Sequence, residues 1–217
     1  MAMTLYSGPL SLFTGKVRIA LDEKGLDYEL VSVPFSRAGY QPKHPTVVEL
    51  NPKQQVPVLV DGDLAIYDST IIFEYLEEKH PTPALYPREP AAKARCRVLE
   101  AAADEIFFPQ IWELIREVFY KPDGQGRDDR AVANAKAAIA TQYDGLEERL
   151  GAHPFLCGDT PTVADIGYFM FVTSATSLGQ GLGEGHAGLH AWYARLLGRE
   201  AFQREIDRLM VGSAALG

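Results

Sequence analysis

LYSGPLSLFTGKVRIALDEKGLD, residues 5–27, reads as an apolar strand, a polar loop and then a helix. Its loop carries Ser11 immediately ahead of the helical stretch. A hydroxyl delivered to a helix N-terminus offers a side-chain donor beside the positive end of the helix dipole, and an anion such as a thiolate is stabilised there. A serine in this position also serves as a simple N-cap. The local sequence leaves both readings open.

Outward from this stretch the first third of the chain alternates. Residues 4–6 form the first strand. The helix is expected over residues 16–24, with Val17, Ala20 and Leu21 on one face and Gly25 as its stop. YELVSV at 28–33 alternates apolar and polar residues, as a strand does. A loop with Pro34, Gly39, Pro42 and Pro45 follows, holding a short irregular helix. Apolar runs at 56–60 and 64–67 flank Asp61-Gly62, a strong hairpin signal, and Pro57 opens the first of them. Residues 69–79 are then helical, with Ile72, Tyr75 and Leu76 on one face. Two strands joined through a helix are parallel and a hairpin is antiparallel, so a small mixed sheet with packed helices is expected.

Four prolines (Pro81, Pro83, Pro87 and Pro90) crowd the next segment, which reads as a linker. Strand patterns then cease. Val98, Ala102, Ile111, Leu114, Ile115 and Val118 fit one long helix, and Val132, Ile139, Tyr143, Leu146 and Leu150 fit a second. Residues 162–173, 189–197 and 200–210 supply three more. The expected organisation is an α/β domain over residues 1–80, a linker at 81–90 and an all-α bundle over 91–217, without internal repeats.

Composition narrows the function. The 217 residues are 47% apolar and 23% charged, and the net charge of −8 disfavours nucleic acid as a partner. No apolar run approaches the roughly 20 residues that span a membrane, and no secretory signal opens the chain, which predicts a cytoplasmic protein. Cys96 and Cys157 are far apart and form no CxxC pair, which argues against a disulfide scaffold or a two-cysteine redox site. The five histidines show no ligand spacing, so no metal is expected.

Several positions could carry chemistry. Asp68-Ser69 opens a helix. It is either a cap or a zwitterion site, with Ser69 and the first amides on a carboxylate and Asp68 on an amine. Thr162 and Asp165 read as a structural capping box. Phe108, Ile111, Trp112 and Ile115 lie in an aromatic-rich helix, and with Leu12 and Phe13 they are the candidates for lining an apolar substrate pocket.

The combination resembles the cytosolic glutathione S-transferases over nearly the whole chain, close to the serine-type bacterial, theta, phi and zeta members. The resemblance rests on four motifs: Ser11 in SLFTGKVRIAL, Asn51-Pro52 leading into Gln55-Val56-Pro57-Val58-Leu59, Asp68-Ser69-Thr70-Ile71 with Tyr75-Leu76, and Gly158 with Thr162-Val163-Ala164-Asp165. It implies a thioredoxin-like N-terminal domain and a helical C-terminal domain. It makes glutathione the cosubstrate, with Ser11 donating a hydrogen bond to the sulfur. Val56 would pair with the cysteinyl main chain beside a cis Val56–Pro57 bond. Asp68, Ser69 and Gln55 would hold the γ-glutamyl end, and Lys43 and Lys53 the glycyl carboxylate. Tyr6, Ser7 and Thr14 are rival hydroxyls. The implied activity is conjugation of an electrophilic apolar molecule, as in detoxification, by a homodimer. The alternatives are glutathione-dependent dehalogenation, isomerisation or ether cleavage, and a non-catalytic binding protein of the same fold.

Overall fold

In the computed structural model, residues 2–36, 39–41, 43–121 and 125–214 are described. Pro42 of the proline-containing loop lies outside them. The chain divides into two compact units, 1–85 with 197–217, and 86–196.

The first unit is built on strands β1 (Met3–Ser7), β2 (Tyr28–Ser32), β3 (Val58–Asp61) and β4 (Leu64–Tyr67), in the order β2-β1-β3-β4. β1 and β2 are parallel, joined through α1 (Leu12–Glu23). β3 runs antiparallel to both β1 and β4. The mixed sheet expected from the alternation is therefore present. The hairpin turn falls one residue later than the Asp61-Gly62 signal suggests. Asp61 pairs with Leu64, which leaves Gly62 and Asp63 in the turn. Gly62 takes the positive φ of 66°, which a residue without Cβ adopts at no steric cost.

Helix α1 begins four residues before the expected start. Gly15 weakens helix propensity locally, but Ser11 caps the helix and carries it through that position. α1 packs against α3 (Ser69–Lys79) and also against α9 (Glu200–Ala214). It is accordingly buried on nearly every side from Thr14 to Leu21, rather than along one stripe. Arg18 explains how α9 is held. Its Nε donates to Glu205 Oε2 at 2.7 Å, its Nη2 reaches Oε1 at 2.5 Å, and Nη1 donates to Ser7 Oγ. Glu205 is fully buried, and this forked pairing satisfies both its oxygens. A short helix, α2 (Pro45–Leu50), completes the unit.

The second unit holds α4 (Pro90–Ala102), α5 (Phe108–Phe119), α6 (Asp129–Leu150), α7 (Val163–Ser177) and α8 (Ala187–Leu197). The single long helix expected near residues 98–118 is instead α4 and α5 separated by a π-helical turn, Ala103–Phe107. Pro109 has no N–H to donate into an α-helical ladder, and the wider turn absorbs that gap. The buried face then runs Cys96, Leu99, Ala103, Phe107, Ile111, Leu114, while Val98 and Val118 are exposed. α7 is buried through almost its whole length and packs against α4 and α5. Its N-terminus is fixed by Asp165. Oδ1 accepts from Leu156 N–H (2.8 Å) and Trp192 Nε1–H (2.9 Å), and Oδ2 from the N–H and hydroxyl of Thr162 (both 2.8 Å). Thr162 and Asp165 are thus structural, as the capping motif implies. No helix of the described residues is long and apolar enough to cross a membrane.

Candidate active site

The register of the first unit gathers the candidate residues. Tyr6, near the end of β1, pairs with Val58 at the start of β3, and Val58 pairs with Tyr67 at the end of β4. Three connections therefore leave or enter the sheet along a single edge. These are the loop from β1 to Ser11, the segment running through Val56 and Pro57 into β3, and the Asp68-Ser69 turn after β4. Ser7 and Ser32, also paired, put the end of β2 at the same edge, ahead of Lys43. Residues spread over half of the first unit's sequence are brought together by strand direction alone. In α/β sheets, the carboxyl ends of parallel strands are where ligands bind.

Ser11 is the N-cap of α1 and half-buried, and its Oγ accepts the Thr14 N–H at 3.2 Å. That leaves its own O–H hydrogen free of any acceptor among the described residues. The cap role and the donor role coexist, and the amide dipole pulling on Oγ makes the hydroxyl a better donor. The rival hydroxyls are placed differently. Ser7 is buried and takes the Arg18 bond. Thr14 is fully buried, its Oγ1 a distant 3.5 Å acceptor for Gly8 N–H. Tyr6 packs against the cluster of Val33, Val47 and Val58 and lies 5.3 Å from the His44 ring. Gly8 has a steric reason to be glycine: a Cβ there would meet the Tyr40 ring at 2.6 Å.

The segment before β3 is organised by buried Asn51. Its Nδ2 donates to Gln55 O at 2.7 Å, its Oδ1 accepts Lys53 N–H at 2.9 Å, and its carbonyl accepts Gln54 N–H at 2.7 Å. Gln55 is exposed, Val56 half-buried, and the Val56–Pro57 peptide is cis. Across from it, Asp68 caps α3 by accepting Thr70 N–H at 3.2 Å, and it pairs with Lys53 Nζ at 3.0 Å. Gln54 (φ 54°) and Asp68 (φ 78°) are the only non-glycine residues with positive φ among those described. Both flank this edge, and such backbone outliers cluster at functional sites. Ser69, 2% exposed, has a buried Oγ with no hydrogen-bond partner among the described residues. The first amides of α3 beside it lie at the positive end of the helix dipole, which favours an anion. Beside it opens a depression of about 370 Å³ lined by Lys53, Ala65, Ile66, Tyr67, Asp68 and Ile71.

The Lys53–Asp68 pair is solvent-exposed, so it contributes no more than about 1 kcal/mol. Lys43 is half-buried. Its neighbour His44, not singled out by the motifs, has a buried Nδ1 without a partner among the described residues. The signal was available: His44 precedes the N1 proline of α2, so an imidazole stands where a short capping side chain is usual, and it makes no cap bond. Of the apolar candidates in the first unit, Leu12 is buried in the core and Phe13 is half-buried. In the second unit Ile111 is fully buried and Trp112 exposed. Ile115 is half-buried, as is Phe108, whose ring lies 5.3 Å from that of Phe171. No group of three or more His, Cys, Asp or Glu side chains that could hold a metal occurs among the described residues.

A four-stranded mixed sheet with a serine-capped and an aspartate-capped helix and a cis-proline along one edge defines a thioredoxin-like domain, here followed in sequence by a helical unit. Models of the glutathione S-transferase N-terminal and C-terminal domains match residues 5–84 and 129–195. Glutathione S-transferase 3 of Zea mays is 31% identical over 209 residues, 94% of this chain and 93% of that protein. The chain belongs to the glutathione S-transferase family. A solved glutathione S-transferase of Methylobacterium radiotolerans, in complex with glutathione sulfonate, superposes with a TM-score of 0.79 at 28% identity, covering 95% of each chain. A stringent starvation protein A homolog of Coxiella burnetii is 42% identical over 108 residues, 49% of this chain and 48% of that protein, so the match spans about half of each.

Proposed function

We propose that this chain is a glutathione transferase in which Ser11 holds the glutathione sulfur as thiolate for attack on an apolar electrophile. The observation that carries the reading is the sheet register, which sets the Ser11 loop, Val56-Pro57 and Asp68-Ser69 along one edge. A free thiol has a pKa of about 8.5 and is mostly protonated near neutrality. A hydroxyl donating to sulfur favours the charged form, and each unit of pKa lowering corresponds to about 1.4 kcal/mol. The Val56 main chain aligns the cysteinyl part. Gln55, Asp68 and Ser69 take the γ-glutamyl end, and Lys43 and Lys53 the glycyl carboxylate. The thiolate then forms a C–S bond to an apolar electrophile, for which half-buried Phe13 of the same unit offers surface. Leu12 lies behind it in the core of that unit. Family membership extends the proposal to a cytoplasmic homodimer acting in detoxification.

The test is ultraviolet titration of bound glutathione in the parent and in Ser11→Ala, beside turnover of a generic electrophile. The parent is expected to form thiolate well below pH 8.5, and Ser11→Ala to lose about 10- to 100-fold in turnover with glutathione affinity little changed. Full activity in Ser11→Ala would overturn the assignment. A second reading, a glutathione-fold binding protein without turnover, is favoured by the similarity to a protein named for starvation rather than for an enzyme activity. Glutathione binding with no turnover across a broad electrophile panel would establish it.

A further inference from the structure

Helix α9 runs antiparallel to α1 within the first unit, and charged pairs hold the two in one register. Arg199 Nη2 meets Glu23 Oε2 at 2.5 Å, Arg204 and Arg208 both meet Asp22 at 3.3 Å, and Glu205 takes the buried fork of Arg18. Further along the same line, Gly212 lies against the Pro9–Leu10 turn, the segment that leads into Ser11. A Cβ at Gly212 would stand 2.9 Å from Leu10 Cδ2 and 3.2 Å from the Pro9 carbonyl oxygen. The φ of Gly212 is not in the left-handed region, and α9 continues past it to Ala214. Glycine is a poor helix former, so neither propensity nor backbone conformation accounts for it here, whereas the clearance does. The other end of the loop is confined in a similar way. Arg18 donates to Ser7, and Gly8 faces the Tyr40 ring with no room for a Cβ. Between these grips, Ser11 N–H donates to Gly8 O at 3.2 Å and Ser11 Oγ accepts Thr14 N–H at 3.2 Å. The serine hangs from the loop by its main chain and from α1 by its side chain, so a shift of the turn moves its hydroxyl.

We propose that Gly212 is a positioning residue for Ser11: its missing side chain lets the Pro9–Leu10 turn sit at the height from which the Ser11 hydroxyl aims at the glutathione sulfur. The inference rests on the reading of Ser11 as the thiolate donor. The Arg18–Glu205 pair sets the register, about two helical turns from each end of the contact, since Ser11 precedes Arg18 by seven residues and Gly212 follows Glu205 by seven. Two rigid helices thus carry a buried ion pair's precision to the loop. A methyl group at 212 is met in part by rotation of the Leu10 side chain. The Pro9 carbonyl is main chain, and it must give by a few tenths of an ångström. Hydrogen bonds weaken steeply with misalignment, so a hydroxyl turned away from the sulfur favours the thiolate less. Gly212 itself touches neither glutathione nor the electrophile in this scheme, and its whole effect passes through Ser11.

The test is Gly212→Ala in the full chain, beside Ser11→Ala and the double variant, with ultraviolet titration of bound glutathione and turnover of a generic electrophile across pH. In Gly212→Ala the bound thiol pKa is expected to rise by about half to one unit, with about three- to tenfold less turnover below the parent's bound-thiol pKa. The loss should vanish by about pH 9, where glutathione is thiolate without help. The KM for glutathione should change less than about twofold. In the Ser11→Ala background the substitution should cost nothing further. Leu10→Ala removes the same contact from the loop side. It should raise the pKa in the same direction, and it carries the test if Gly212→Ala does not fold. An unchanged bound-thiol pKa, a loss equal at every pH, or the same fold-loss without Ser11 would overturn the proposal. Full turnover in Ser11→Ala would overturn it together with the assignment of Ser11. An impaired Ser11→Ala beside an unaltered Gly212→Ala overturns this inference alone.

Discussion

Ser69→Ala should make the ligand-free protein more stable and its glutathione complex weaker. The Ser69 hydroxyl is buried, with no hydrogen-bond partner among the described residues. Leaving such a group dry and unpaired costs about 1–3 kcal/mol. Alanine removes that cost and introduces a void of one oxygen atom, worth up to about 1 kcal/mol in the other direction. The net is a gain of about 1 kcal/mol, or roughly 2–4 °C in melting temperature for a chain of this size. With glutathione the sign changes. A hydrogen bond to a carboxylate contributes about 1.5–3 kcal/mol, so its loss weakens binding about tenfold or more. At a ligand concentration about 100 times the parent's Kd, the parent gains about 2.7 kcal/mol and the variant about 1.4. Thermal unfolding followed by far-ultraviolet circular dichroism, with and without glutathione, reads both effects. A ligand-free variant more than about 1 kcal/mol less stable than the parent, or an undiminished shift with glutathione, would refute the reasoning.

Replacing Arg18 by Leu leaves the fully buried Glu205 carboxylate with Arg208, at 3.5 Å, as its one cationic partner among the described residues. It should cost about 3–5 kcal/mol in urea unfolding, whereas Arg18→Leu with Glu205→Leu should cost far less. Additive single effects would dismiss the coupling. Asp165→Ala leaves four buried donors without an acceptor and should cost about 3 kcal/mol or more. Because Trp192 is one of the donors, its fluorescence should change with the loss. Hydrogen bonds from Lys79 and Tyr75 hold the Asp61 carboxyl below its ordinary 3.8. Its stabilising contribution is therefore complete above the unfolded value and disappears as pH falls through the folded one. Asp61→Asn should flatten the acid side of a urea-midpoint profile, and an unchanged slope would exclude the role.

Much of the first unit is legible because its signals are local. The alternation at 28–33, Gly62 in the hairpin and Ser69 after a capping acid each act within a few residues of themselves. The site residues are legible as motifs, but their convergence at one edge depends on strand direction. What escapes is decided by distant partners. The burial of Arg18 requires Glu205, which stands almost at the other end of the sequence. Pro109 reads as a helix breaker only once the π-helical turn shows how the chain passes it. His44 escapes because the burial of its Nδ1 is set by packing beside the Tyr6 ring, which no local motif announces.

The placement of α9 sets an order of assembly during synthesis. The first unit is made of residues 1–85 and 197–217, whereas the second is one uninterrupted stretch. As the chain leaves the ribosome, the sheet and α1 emerge early, with Arg18 facing a gap that Glu205 will fill. At about 5–20 residues per second, that partner arrives on the order of ten seconds later. In the meantime the helical unit has all of its own residues and can close. The half of the protein that binds glutathione begins first and is completed last, and its buried charge stays wet until the final helix arrives.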